Sequence, residues 1–215
     1  MARKAKIVVF GAGGHAKVVL DVLRQGGRYE PIGILDTSRE LFGTTRWGLP
    51  VLGGHDHFGK LLAQGVTRFI VALGDNRDRQ AIYEDAVKAG FELVSAIHPS
   101  ALIGGGVEIG PGVLVVAGAV INVDAVVGAN AIVNTGATVD HDCRIGAHAH
   151  LSPGVHLAGN VAVGELAHLG IGAVVLPNLT IGRACVVGAG SVVLENVPDG
   201  AVVAGNPARP LQGKE

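Results

Sequence analysis

Several kinds of residue are scarce in this chain of 215 residues, and each scarcity narrows what the protein can be. Aromatic residues make up only 4% of the sequence, a composition that suits a solenoid with tight corners. The formal net charge of −1 argues against a large basic surface that would bind nucleic acid. The sequence has only two cysteines, Cys143 and Cys185, and both fall on inward positions of the repeat described below. We expect them to be small buried thiols in a reducing cytoplasm; a disulfide or a reactive site is the alternative. The apolar run over residues 7–10 is far too short for a signal peptide or a membrane span.

Glycine, by contrast, is abundant, with 34 residues, and much of it belongs to a repeat. Every sixth residue from Ile103 to Val193 is aliphatic, and the residue two positions earlier is mostly small. A helix would show a period near 3.6 and an isolated strand a period of two, so neither explains this pattern. A period of six indicates short strands joined by corners, which is typical of a parallel β-helix built from hexapeptides.

The residue that follows each aliphatic position is usually Gly, Asn or Asp. We interpret these residues as the corners of the coil, where the backbone requires φ > 0. A longer period of eighteen is marked by Gly110, Gly128, Gly146, Gly164 and Gly182. Three hexapeptides therefore form one triangular coil, and about five coils stack at the ~4.8 Å spacing of neighbouring strands.

Residues 1–98 are typical of a separate, small α/β domain, and residues 99–215 form the β-helix domain with a C-terminal tail. Alternating apolar segments predict four strands, over residues 7–10, 31–35, 68–73 and 92–97, with helices after the first strand and over residues 58–62 and 77–89. Strands that alternate with helices indicate a parallel sheet with crossover helices. The dipeptide at residues 98–99, His-Pro, ends this pattern just before the repeat begins.

The first turn of the α/β domain carries a glycine motif, Gly11-Ala12-Gly13-Gly14-His15, between a strand and a helix. With Asp36 at the end of the second strand, it matches a dinucleotide fingerprint, in which a helix N-terminus holds phosphates and the carboxylate binds ribose. Because four strands are fewer than a dinucleotide normally spans, we favour a nucleotide-sugar, with His15 as a donor. A dinucleotide site and a purely structural turn are the alternatives. Asp75 and Asn76, after Gly74, are either ligands at the same sheet edge or helix caps.

The densest cluster of reactive side chains in the repeat is Asp140-His141-Asp142. Asp140 occupies a predicted corner, whereas His141 lies on the outer surface and can accept a proton near neutrality. A carboxylate beside it, such as that of Asp142, would fix its tautomer and raise its basicity. Eighteen residues later the position above His141 is Gly159, which leaves space for a thin ligand. The alternative is an idle surface histidine.

Four further histidines lie in the same region: His148, His150, His156 and His168. A zinc ion shared between subunits is one interpretation, but the spacing fits no known ligand pattern and no acidic ligand recurs with it, so we predict no metal. His150 is better explained as a hydrogen-bond donor in a ligand groove. Asn134 is either a left-handed turn residue or part of the site.

Taken together, these motifs resemble the sialic-acid O-acetyltransferase-like group of sugar acetyltransferases in the hexapeptide-repeat superfamily. The resemblance covers essentially residues 1–209 and includes the glycine motif, Ile34-Leu35-Asp36, Gly74-Asp75-Asn76, His98-Pro99, the hexapeptides, the His141 pair and Gly205-Asn206-Pro207-Ala208-Arg209. Within the group the chain resembles in particular the enzymes that acetylate 4-amino-4,6-dideoxy sugars, such as GDP-perosamine N-acetyltransferases.

The resemblance implies a Rossmann-like nucleotide-sugar-binding domain and a left-handed β-helix that forms a homotrimer, with acetyl-CoA in grooves between adjacent β-helices. It implies that His141 is the general base and Asp142 its partner. It further implies that the nucleotide-sugar contacts Gly13, Gly14, His15, Asp36, Gly74 and Asn134, and that acetyl-CoA is bordered by His150, Gly159 and Ile171. Some relatives carry Glu where this chain has Asp142. The implied setting is polysaccharide (O-antigen) biosynthesis in the cytoplasm.

Three other classes of function are compatible with parts of the pattern. A nicotinamide oxidoreductase would use the glycine turn and ignore the repeat, and a hydratase on the same β-helix would require zinc. A non-catalytic trimer would bind the nucleotide-sugar without consuming acetyl-CoA. Neither the choice between guanine and uracil nor that between nitrogen and oxygen as acceptor follows from the sequence.

Overall fold

A computed structural model describes residues 4–211, and the chain divides into two compact units between Pro99 and Ser100. The first unit contains strands β1 (Ala5–Phe10), β2 (Tyr29–Leu35), β3 (Thr45–Arg46), β4 (Leu49–Gly53), β5 (Arg68–Val71), β6 (Glu92–Leu93) and β7 (Ala96–Ile97). Its helices are α1 (Gly14–Gly26), α2 (Phe58–Ala63) and α3 (Asn76–Ala89), with short 3-10 turns at Arg39–Leu41 and His55–His57.

The sheet of the first unit has the strand order β3-β4-β2-β1-β5-β6, and all neighbours except β3 and β4 are parallel. Four of the chain's five phenylalanines, Phe10, Phe58, Phe69 and Phe91, pack in the core on one side of this sheet. Their rings meet at centroid distances of 4.9–6.3 Å. Burial of these large side chains stabilises the sheet.

Two sequence predictions for this unit are wrong in detail. The sheet has six strands rather than four, because β3 and β4 form a hairpin that the sequence does not signal. Its two-residue turn has positive φ at Trp47 and Gly48, and Trp is not among the residues that usually mark such turns. The predicted final strand over 92–97 is divided into β6 and β7.

The second unit is a left-handed parallel β-helix, which confirms the predicted fold class. Its two-residue strands recur every six residues: β8 (Leu102–Ile103), β9 (Glu108–Ile109), β10 (Leu114–Val115), β11 (Val120–Ile121), β12 (Val126–Val127), β13 (Ile132–Val133), β14 (Thr138–Val139), β15 (Arg144–Ile145), β16 (His150–Leu151), β17 (His156–Leu157), β18 (Ala162–Val163), β19 (His168–Leu169), β20 (Val174–Val175), β21 (Thr180–Ile181), β22 (Val186–Val187) and β23 (Val192–Val193). Each strand pairs with the strand eighteen residues away, so the aliphatic residues stack inside one continuous core. The tail adds β24 (Val202–Ala204) and β25 (Arg209–Pro210).

The corners of the coil are not where the sequence placed them. Positive φ occurs at every sixth residue from Gly106 to Gly190, three positions after each aliphatic residue rather than directly after it. Asp140 and Asn134 are therefore not left-handed corner residues, whereas Asp142 is, with a φ of 61°. Asx residues tolerate this conformation because their short polar side chains bond locally.

The glycines directly after the aliphatic positions serve close packing instead. A Cβ on Gly128 would lie 2.6 Å from the backbone nitrogen of Ala147 in the next coil, closer than van der Waals contact allows. The inward thiols are free and buried as predicted, and burial raises the pKa of Cys185 to about 11 and also raises that of Cys143. No helix within residues 4–211 is long and apolar enough to cross a membrane.

Candidate active site

The glycine turn of the first unit leaves open space in front of the N-terminus of α1. Gly11 must lack a side chain, because a Cβ there would lie 2.7 Å from the carbonyl oxygen of Ala72 on the neighbouring strand. Gly13 and Gly14 are exposed, and a Cβ on either would meet no atom within 4 Å. The first turn of α1 has no acidic residue and no side-chain cap, so its N–H groups suit an anion such as a phosphate.

Asp36 holds this turn in place. One carboxylate oxygen accepts a hydrogen bond from the Ala12 N–H at 2.7 Å, and the other accepts one from the Ser38 N–H at 2.9 Å. Each oxygen keeps a second lone pair, so the side chain can still accept from a sugar hydroxyl. Its role as a ribose ligand stays a prediction, while its contact with the glycine turn is a structural role that the sequence did not reveal.

The second turn at the same sheet edge is organised by Arg79, a residue that the sequence analysis missed. Asp75 is the N-cap of α3, accepting from the N–H groups of Arg77 and Asp78, which decides in favour of the helix-cap alternative for that residue. Arg79 is 1% exposed, and its guanidinium donates to the carbonyl oxygens of residues 73, 74 and 75 at 3.2–3.3 Å. It also donates to Asn76 Oδ1 at 2.8 Å. The sequence signal that could have identified Arg79 was a charged residue among the positions that α3 buries.

Burial and the charge of Arg79 also affect His15. Burial, with a smaller contribution from Arg79, lowers the pKa of His15 to about 4. The imidazole is therefore neutral at pH 7, and it can serve a ligand as a hydrogen-bonding group but not as a cation. Burial likewise lowers the pKa of Arg79 to about 10, which leaves the guanidinium charged under the same conditions.

In the β-helix, His141 and Asp142 form a hydrogen-bonded pair. His141 Nδ1 lies 2.8 Å from Asp142 Oδ2, and the two side chains are 55% and 59% exposed. The left-handed backbone of Asp142 turns its carboxylate towards the preceding imidazole. The hydrogen bond to Asp142 is the largest cause of a raised pKa at His141, with smaller contributions from the charges of Asp140 and Asp142. Asp140 also accepts from the His141 N–H at 2.8 Å, which fixes the backbone.

The other ring nitrogen of His141 faces Gly159 in the next coil. A Cβ at Gly159 would lie 2.5 Å from His141 Nε2 and 2.6 Å from Cε1, so only glycine leaves the imidazole this position. The pair opens onto a cavity of about 480 Å³ that Asp124, Arg144, Asn160 and Asn178 also line. Sequence reasoning missed these four residues, although Asp124, Asn160 and Asn178 share the corner column of Asp142 at a spacing of eighteen.

Two further predicted site residues, Asn134 and His150, contact each other. Asn134 Nδ2 lies 3.1 Å from His150 Nε2, and both side chains are buried. The ring of His168 packs edge-on against that of His150 at 5.0 Å. Ile171, by contrast, is 62% exposed. Within residues 4–211, no three His, Cys, Asp or Glu side chains are grouped closely enough to hold a metal ion.

Both units of the chain are similar to known proteins. A family model described as the PglD N-terminal domain matches residues 6–86. A histidine-to-asparagine mutant of perosamine N-acetyltransferase from Caulobacter crescentus, solved with CoA and GDP-perosamine, is 46% identical with a TM-score of 0.94, covering 97% of this chain and 98% of that chain. The same coverage holds for PerB from that organism, also with CoA and GDP-perosamine, at 47% identity and a TM-score of 0.93.

The acetyltransferase domain of PglB from Neisseria gonorrhoeae FA1090 is 41% identical with a TM-score of 0.90, covering 97% of this chain and 100% of that chain. Such identity over nearly the whole of each chain extends the similarity beyond the shared fold. The chain therefore belongs to the nucleotide-sugar N-acetyltransferase family of the hexapeptide-repeat superfamily.

Proposed function

We propose that this protein transfers the acetyl group of acetyl-CoA to the C4 amine of a nucleotide-linked 4-amino-4,6-dideoxy sugar, with GDP-perosamine as the favoured substrate. The observation that carries the proposal is the 2.8 Å contact between His141 Nδ1 and Asp142 Oδ2, with Nε2 facing the bare backbone of Gly159. A proton on Nδ1 is held by the carboxylate, which leaves the lone pair of Nε2 for an incoming proton. The relatives solved with GDP-perosamine and CoA support this choice of substrates.

In the proposed reaction the amine attacks the thioester carbonyl directly. The C–N bond forms as His141 Nε2 accepts a proton from the nitrogen, and the carbonyl oxygen carries the negative charge of the tetrahedral intermediate. Collapse of that intermediate breaks the C–S bond, and the imidazolium returns the proton to the departing sulfur of CoA. General base catalysis contributes about 10²–10⁴-fold, and holding the two substrates together contributes the remainder.

The remaining residue assignments are part of the same proposal. Gly13, Gly14, His15, Asp36 and Gly74 would bind the nucleotide-sugar, Asn134 would lie near the sugar, and His150, Gly159 and Ile171 would border acetyl-CoA. The open space at Gly13 and Gly14 and the uncapped start of α1 support the phosphate part of this assignment. We further propose a homotrimer with acetyl-CoA between adjacent β-helices, acting in the cytoplasm in polysaccharide (O-antigen) biosynthesis.

The test is release of the CoA thiol from acetyl-CoA, measured with GDP-perosamine and, separately, with UDP-linked 4-amino sugars. We expect rapid release with the GDP sugar and an acetamido product in its mass spectrum. Release only with a UDP sugar would keep the reaction and change the substrate. Tight binding of the nucleotide-sugar without any thiol release would replace the proposal with a non-catalytic binding protein.

A further inference from the structure

The first unit contains a cavity that the glycine turn and the His141 pair do not use. Its volume is about 590 Å³, and it lies at the carboxyl ends of β2 and β4, where Asp36 and Gly54 line it. Ligands of open parallel sheets bind at this edge. Because Asp36 contacts both the cavity and the glycine turn, a nucleotide whose phosphates lie at the turn would have its nucleoside in this cavity. This inference rests on the proposed function.

The floor of the cavity brings an aromatic ring and a carboxylate together. A Cβ on Gly54 would lie 3.4 Å from Phe42 Cζ and 3.5 Å from Asp56 Oδ1, which shows how closely these groups converge there. A planar base can stack on an aromatic ring such as that of Phe42. Glycine at position 54 keeps the floor open for it.

Asp56 is fixed in place and ionised. Its Oδ1 accepts from the Gly54 N–H at 3.1 Å, and its Oδ2 lies 3.2 Å from His57 Nδ1. The neighbouring His57 imidazole is the largest cause of a lowered pKa at Asp56. The side chain is nonetheless 68% exposed, so its remaining lone pairs are available to a ligand in the cavity.

Arg39 supplies the opposite charge to the same cavity. It begins the 3-10 turn Arg39–Leu41 and is exposed. Among residues 4–211 its guanidinium forms no ion pair, so its five donors are available to a ligand.

We propose that Arg39 and Asp56 select a guanine base. Guanine presents two adjacent donors, N1–H and N2–H₂, which a carboxylate accepts together, and two acceptors, O6 and N7, which arginine binds with both arms of its fork. Uracil has a single N3–H between two carbonyl oxygens, so a carboxylate at that edge would repel it. Adenine presents an acceptor where guanine has N1–H. The charge pattern of the cavity therefore matches GDP and excludes UDP and ADP.

The experiment compares calorimetric binding of GDP, IDP and UDP to the full-length wild type and to Asp56→Asn. IDP lacks only the 2-amino group, and loss of one hydrogen bond to a charged partner corresponds to about 10–100-fold in affinity. We expect that loss for IDP in the wild type, a larger loss for UDP, and GDP:IDP discrimination within about threefold in Asp56→Asn. Asn keeps the oxygen that accepts from Gly54. Glu40→Gln removes a neighbouring charge that does not line the cavity and should leave the discrimination unchanged.

A second pair of ligands, GDP and 7-deaza-GDP, tests the role of Arg39 independently of Asp56. 7-Deaza-GDP lacks the N7 acceptor, so the wild type should bind it about 10-fold more weakly than GDP, and Arg39→Gln should bind the two nearly alike. Equal affinity of the wild type for GDP and IDP, or an unchanged ratio in Asp56→Asn, would overturn the inference. Thiol release with GDP-perosamine is measured on the same variants. Acetyl transfer without base discrimination would refute this inference alone, whereas discrimination without transfer would refute the proposed function alone.

Discussion

The substitution Gly159→Ala tests whether the space beside His141 is part of the catalytic geometry. The new methyl group would lie 2.5 Å from His141 Nε2, whereas ordinary contact begins at about 3.4 Å. The backbone of Gly159 does not need positive φ, so alanine introduces no backbone strain. The imidazole is the group that has to move, by about 1 Å, and it is half exposed and free to do so.

A displacement of about 1 Å at a catalytic group costs roughly 10²-fold in rate. We therefore expect kcat to fall by about 10²-fold, while the free energy of unfolding changes by less than about 0.5 kcal/mol, as for other surface substitutions. Binding of the GDP sugar to the first unit should be unchanged, since the change lies in the β-helix.

The matched control is Gly105→Ala. Gly105 occupies the same place in its coil, three coils before Gly159, and a Cβ there would meet no atom within 4 Å. Its kcat should equal that of the wild type. The measurements are steady-state thiol release and a thermal unfolding curve for each variant. A Gly159→Ala enzyme with wild-type kcat would refute the argument that Nε2 must occupy this position.

Three further substitutions test the electrostatics and the exposure of individual side chains. Asp142→Asn removes the largest cause of the raised pKa at His141. The acid limb of the kcat/KM–pH profile should therefore move to lower pH, and the plateau of kcat/KM should fall at least ~10-fold. An acid limb at the wild-type pH would contradict the pairing of His141 with Asp142. Arg79→Met leaves backbone carbonyls unsatisfied and should cost about 1–3 kcal/mol in denaturant unfolding. The same change removes a positive charge and should raise the pKa of His15 above about 4 in an NMR titration. A His15 pKa below about 4 in this variant would contradict the idea that the Arg79 charge lowers it. Ile171→Ala should raise KM for acetyl-CoA about fivefold, with no change in Tm because the side chain is 62% exposed; an unchanged KM would remove Ile171 from the site.

Periodicity predicted the β-helix well because its inward residues must be aliphatic or small at every step, and no insertion interrupts the register. It misplaced the corners because glycine has two uses in this fold. The glycines after the aliphatic residues allow close approach of the next coil, as at Gly128, and the left-handed positions lie two residues later. Composition alone does not separate these two uses.

The candidate site was predictable where one short stretch of sequence holds the partners, as in His141-Asp142. It was not predictable where distant segments converge. The contact between Asp36 and the Ala12 N–H joins two turns that follow different strands. The cavity of Arg39 and Asp56 depends on a hairpin whose turn begins with Trp47, and that residue does not signal positive φ. Only the folded sheet brings these segments together.

The substitution His141→Ala tests whether His141 is the general base of acetyl transfer. Steady-state thiol release with GDP-perosamine gives kcat, and calorimetry gives the affinity for the same sugar nucleotide. We expect kcat to fall by about 10²–10⁴-fold while the affinity for the GDP sugar changes little. An unchanged kcat, with the variant folded and the substrate bound, would contradict it.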